Sequence, residues 1–150
     1  MTYIFLETGK PATSEAVFIK TLIENLGYNM SSNKVEFVNG YKNLINVIPT
    51  IKARCAEDGK VIIIFDADSP GNNGGYYTRR EEIEKILDEN KTQAELFLFP
   101  NNDEDGDFET LLAHLMQKTK HAKLLDCYTD YENCLGNDYV HPNLKGKIFT

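Results

Sequence analysis

The stretch Val61–Ser69, VIIIFDADS, decides the fold. A short β-branched apolar block follows the turn-like pair Asp58-Gly59 and stops abruptly at two carboxylates, Asp66 and Asp68. A brief, fully apolar run of this kind is the pattern of a central strand covered on both faces, as in a parallel sheet. Toward the N-terminus, Tyr41 to Glu57 has helical spacing through Leu44, Ile45, Val47, Ile48 and Ile51. Pro49 falls inside it and predicts either a kink or a helix start after an earlier turn. Lys34 to Val38 reads as a strand closed by an Asn39-Gly40 turn, and Thr13 to Leu26 as a helix. Thr13 or Ser14 can cap that helix and Gly27 can stop it. Tyr3 to Glu7 is the first strand.

Toward the C-terminus, the loop SPGNNGG (69–75) leads to a helix over Thr78–Asn90, with Thr78 and Glu81 spaced as a capping box. Ala94 to Phe99 is a fourth strand, Pro100 to Gly106 an acidic loop, and Asp107 to Lys118 a helix with Leu111, Leu112, Leu115 and Met116 inward. A further short helix and an irregular tail follow, through Asp138. The ending HPNLKGKIFT stops in an apolar run with no terminal cap, which predicts a natural C-terminal helix extending beyond Thr150. Strand and helix alternate four times. The expectation is therefore a three-layer α/β domain with a mostly parallel four-stranded central sheet, helices on both faces and VIIIF internal. Residues 1–120 form this Rossmann-like unit, and 121–150 are a helical or irregular extension of it.

Composition limits the function classes. The 150 residues suit one domain with a sizeable core. Eight Tyr and eight Phe argue against disorder. The net charge of -7, from 23 acidic and 16 basic residues, repels nucleic-acid phosphate and anionic lipid unless charge is segregated or metal ions intervene. No apolar run reaches the length of a membrane span, and MTYIFLETGK lacks the basic and apolar regions of a signal peptide. Cys55, Cys127 and Cys134 are odd in number, form no CxxC, and sit apart from any His pair. These features predict a cytoplasmic protein.

The acidic residues gather at strand ends. Glu7 closes the first strand, Asp66 and Asp68 the third, and Asp103, Asp105, Asp107 and Glu109 follow the fourth. In a parallel sheet these ends share one edge, where ligands bind. Converging carboxylates suit Mg²⁺ or Mn²⁺. Without a cation the like charges repel, and some are pushed to hold protons. Glu7, Asp66 and Asp68 each abut an apolar strand, where an unpaired charge is costly, so they read as functional. Asp107 reads as a helix cap, Glu15 as a first-turn acid matched to the helix dipole, and Asp103 and Asp105 as a solvated loop. SPGNNGG is not a P-loop and reads as a mobile loop whose N–H groups can touch phosphate. Arg79 and Arg80 are the phosphate-binding candidates, opening a helix near the Asp66 edge. His114, His121 and His141 share no ligand spacing, and no serine sits in a G-x-S-x-G elbow.

Glu7 in IFLETGK and the DxD of VIIIFDADS, within this α/β order, resemble the Toprim domain of topoisomerases, bacterial primases, recombination mediators and nucleases of the overcoming-lysogenization-defect type. The resemblance covers roughly the first two-thirds of the chain. It implies acid–base or metal duty for Glu7 and Mg²⁺ or Mn²⁺ binding by Asp66 and Asp68. In FLFPNNDEDGDFETLL, Glu109 matches a glutamate that can serve a second metal. Thr8 separates Glu7 from Gly9, and Glu15 lies farther along than the family's next acidic residue. No Lys or Arg occurs between Leu96 and Met116, where some of the nucleases carry a basic residue. The implied function is metal-dependent phosphodiester or phosphoryl chemistry on a nucleic acid or nucleotide, with a protein partner supplying DNA binding or ATPase activity. The alternative is a degenerate Toprim-like module that binds a metal, a nucleotide or a protein. FDADS also resembles the first motif of haloacid-dehalogenase-type phosphatases, which that family places at its N-terminus.

Overall fold

The computed structural model describes residues 1–149. Four strands, β1 (Thr2–Leu6), β2 (Asn33–Phe37), β3 (Lys60–Asp66) and β4 (Glu95–Phe99), form one sheet in the order β2-β1-β3-β4. Every pairing is parallel. VIIIF lies inside the sheet, between β1 and β4, as its composition requires.

Strand alternation sends side chains to two faces. Tyr3, Phe5, Val61, Ile63, Phe65 and Leu98 pack under α2 (Leu44–Ala56) and α3 (Tyr76–Glu89). Ile4, Leu6 and Phe99 pack under α1 (Ser14–Asn25) and α4 (Phe108–Gln117). Helices therefore cover both faces, in the three-layer arrangement. The β1→β2 connection leaves on one face, and the β2→β3 and β3→β4 connections on the other. One crossover hand requires this when the strand order reverses direction at β1. The crevice outside β1 and β3 is thus the topological switch point, where ligands bind in open α/β sheets.

Local chemistry explains the helix boundaries, with two corrections. Thr13 caps α1, its hydroxyl accepting from Ala16 N at 3.3 Å, and Gly27 follows with φ 78°. Asp107 caps α4 and forms a capping box with Thr110. A 3₁₀ turn at Tyr41–Asn43 precedes α2, which then runs through Pro49. The first correction is that α3 starts at Tyr76, before Thr78, so the Thr78–Glu81 box does not form. Its first amide is satisfied from another loop: Tyr76 N donates to Asp105 Oδ1 at 2.7 Å. Asp105 is thus an exposed loop residue, as expected, that also caps α3 from a distance. The second correction is the tail. It carries α5 (Ala122–Leu135), a 3₁₀ turn at Gly136–Asp138 and the short α6 (Leu144–Ile148), which is capped by Asn143. α6 packs against α4. Among the described residues no helix is long and apolar enough to cross a membrane.

Candidate functional site

Glu7 is the residue after β1, and its amide continues the ladder by donating to Ile64 O at 3.3 Å. Its carboxylate turns across the sheet edge. Oε2 accepts from Asp66 N at 3.0 Å and Oε1 from Tyr41 N at 3.1 Å. Two backbone amides from two elements fix its orientation. Burial pushes its pKa up, the two amides oppose the rise, and the charge of Asp68 adds to it.

Asp66 ends β3 with the parity of Ile62 and Ile64, so it projects toward α1 and α4. Oδ1 accepts from Phe108 N, the first amide of α4, at 2.9 Å. That bond favours the carboxylate, yet desolvation outweighs it. With the charges of Glu7 and Glu15 added, the Asp66 pKa is pushed up to about 8. Glu15, in the first turn of α1, faces the same place. Burial, then the charges of Glu7 and Glu109, raise its pKa to about 7, and its Oε1 is buried with no hydrogen-bond partner. A helix-dipole role does not account for a shielded oxygen left unpaired, because an isolated buried acceptor is costly. Glu15, Asp66 and Glu109 line one cavity of about 210 Å³, together with Thr8, Thr13 and Lys145.

Asp68 goes elsewhere. Its φ of 60° breaks the extended backbone, and its Oδ2 pairs with Arg79 at 2.8 Å. Gly106 N donates to its carbonyl at 2.8 Å. The expected Asp66–Asp68 metal pair is thus split. One carboxylate faces the α1–α4 cavity, and the other is tied to a cation on α3.

Arg79 does not serve as an open phosphate ligand. Its side chain is 1% exposed, paired with Asp68 and Glu82 and stacked over the Tyr41 ring at 3.4 Å. Arg80 is paired with Glu84 at 2.8 Å and donates to Tyr76 Oη at 2.9 Å. The SPGNNGG loop is folded onto this cluster. Gly75 N donates to Ala67 O at 2.8 Å, and a Cβ at Gly74 would stand 2.5 Å from Asp68 Cβ.

Of the residues singled out in the sequence, the structure sets Glu7 beside Asp66 and puts Glu109 in the same cavity wall as Asp66. Glu15 and Lys145, not singled out as site residues, line that cavity too. The signal for Glu15 was its position two residues after the Thr13 cap, in a helix entering at the carboxyl edge. Nothing local marked Lys145.

The donor set, all carboxylate oxygen, fits a hard divalent cation, and the orphaned Glu15 oxygen lacks the positive partner such an ion supplies. Glu15, Asp66 and Glu109 line the cavity, and Glu7 stands beside Asp66; these are the residues that would hold such an ion. Among the described residues, no three His, Cys, Asp or Glu side chains are placed together as a coordination group. The three cysteines are free thiols. The chain matches no family model, no curated protein and no solved structure.

Proposed function

We propose that this is a Toprim-like, Mg²⁺- or Mn²⁺-dependent domain for phosphodiester or phosphoryl transfer on a nucleic acid or nucleotide. The observation that carries the reading is the group of carboxylates gathered at the switch point: Asp66 and Glu15 share a cavity, Glu7 stands beside Asp66, and one buried Glu15 oxygen has no partner. A divalent ion held there would supply Lewis-acid chemistry to a phosphoryl group.

The chain's own residues supply the rest. Glu7 is clamped by the Asp66 and Tyr41 amides, and each of its oxygens keeps a second acceptor position. Its raised proton affinity suits a general base that takes a proton from the attacking hydroxyl or water. Glu15 and Asp66 would hold the ion from the α1–α4 side, and Glu109 would serve a second position if one is filled. The N-terminus of α4 fixes Asp66 through Phe108 N.

Nicking of supercoiled plasmid and hydrolysis of short single strands with Mn²⁺ test this. Wild type should cleave, and both Glu7→Gln and Asp66→Asn should not. Activity equal in wild type and Asp66→Asn, with Mn²⁺ bound, would sink the enzyme reading.

One observation favours the binding-module alternative. The Asp68–Arg79 pair commits one of the two DxD carboxylates to the protein itself. Mn²⁺ binding that depends on Asp66, without turnover of any phosphodiester or nucleotide, would select that module.

A further inference from the structure

The C-terminal segment lies over the acid cavity. α6 packs against α4, and Lys145 Nζ stands 3.3 Å from Glu109 Oε1. Lys145 and Phe149 join Glu15 and Asp66 in the cavity wall, and Lys145 is the one cationic residue among those lining it. Its positive charge acts on Glu15 as well, opposing the rise in that residue's pKa.

α6 has five residues, none of them fully buried. Its first turn is closed by the Asn143 cap, where Gly146 N donates to Oδ1 at 2.8 Å. The segment is tied to α5 through Glu132, which pairs with Lys147 Nζ at 2.6 Å and stands 3.7 Å from the His141 ring. The His141 ring also contacts Gly136 O at 2.6 Å. Lys145 itself is 71% exposed while Glu109 is 13% exposed. The ammonium therefore reaches in from solvent on a long stem toward a shielded carboxylate.

We infer that residues 139–149 are a strap whose Lys145 ammonium occupies the acid cavity in place of a divalent cation, and that metal binding displaces it. This rests on the metal reading above. A single tethered charge and a divalent ion cannot share Glu109 without mutual repulsion. The divalent ion carries twice the charge and can reach Glu15 and Asp66 together. An ion pair this exposed is weak, so the block is reversible and set by metal concentration.

The test uses the full chain and Mn²⁺ alone. Lys145→Gln should bind Mn²⁺ about two- to fivefold more tightly, the range expected when an exposed ion pair stops competing. Lys123→Gln makes the same change in net charge outside the cavity lining and should leave the affinity unchanged. In wild type, hydrogen–deuterium exchange of the 139–149 peptide should quicken when Mn²⁺ is added. Unchanged or weaker Mn²⁺ binding by Lys145→Gln overturns the strap, as does exchange that is unchanged or slowed. In that event, loss of binding in Asp66→Asn would show the metal reading standing without the strap. Absence of Mn²⁺ binding in wild type and Lys145→Gln alike ends both.

Discussion

On the α2–α3 side of the sheet's carboxyl edge, Asp68 and Glu82 share the buried Arg79, which lies against the Tyr41 ring. On the α1–α4 side, Asp66, Glu15 and Glu109 face a cavity with Lys145 as its lining cation, and a Glu15 oxygen is left without a partner. Asp66 and Asp68 are two residues apart in the chain. One side pairs its carboxylates with a buried guanidinium, although Arg79 Nε is itself left without a partner. The other gathers partly buried carboxylates whose mutual repulsion and desolvation raise their proton affinity. The contrast separates structural carboxylates from candidate ligands better than the DxD spacing does.

The Arg79 side should break hardest. Arg79→Met strands Asp68 and empties the stack on Tyr41, and should cost about 3–5 kcal/mol in urea unfolding. A cost under about 1 kcal/mol would mean that the pair does not organise this side.

The cavity side should respond to metal. Mn²⁺ at a hundredfold excess over its Kd should stabilise the fold by about 2.7 kcal/mol. Asp66→Asn should remove that gain, while Asp68→Asn should keep most of it. A gain that depends instead on Asp68 would erase the contrast between the two sides.

Proton linkage should follow next in size. Asp66 and Glu15 have folded pKa values raised to about 8 and about 7, above their unfolded values. Between the unfolded and folded values the native state binds more protons, so stability is highest near pH 4–5. It falls as pH rises toward 8, at no more than about 1.4 kcal/mol per pH unit for each group. Melting curves without metal should show this decline, and saturating Mn²⁺ should flatten it. A metal-free melting temperature that rises from pH 5 to 8 would show that the raised proton affinity is absent.

The smallest effect probes how the two loops at this edge are joined. Asp105→Ala should cost about 1 kcal/mol, as loss of an N-terminal helix cap does, whereas exposed Thr78→Ala should cost only a few tenths. Equal costs would return the α3 cap to Thr78.

Much of this was legible in order along the chain. The apolar block Val61–Phe65 required burial on both faces, and its β-branched residues required extension, so an internal parallel strand followed. Thr13 and Asp107 cap helices that begin within a residue or two of them, which is local chemistry. Glu7 and Asp66 were legible because strand ends in a parallel sheet fall on one edge. The caps and ligands that come from elsewhere in the chain were not. Asp105 caps a helix 29 residues before it, and Lys145 reaches Glu109 from a C-terminal segment whose sequence gives no sign of where it packs.

The sequence by itself determined the alternation, the internal place of β3 and the gathering of acids at one end of the sheet, because hydrophobic period and turn residues act over short distances. Only the tertiary structure decided which acids are paired with Arg79. A φ of 60° at Asp68 turns its carboxylate to Arg79, and the entry of α1 carries Glu15 toward Asp66. Electrostatic compensation depends on distance in space and on burial, and neither is written in the spacing of residues along the chain.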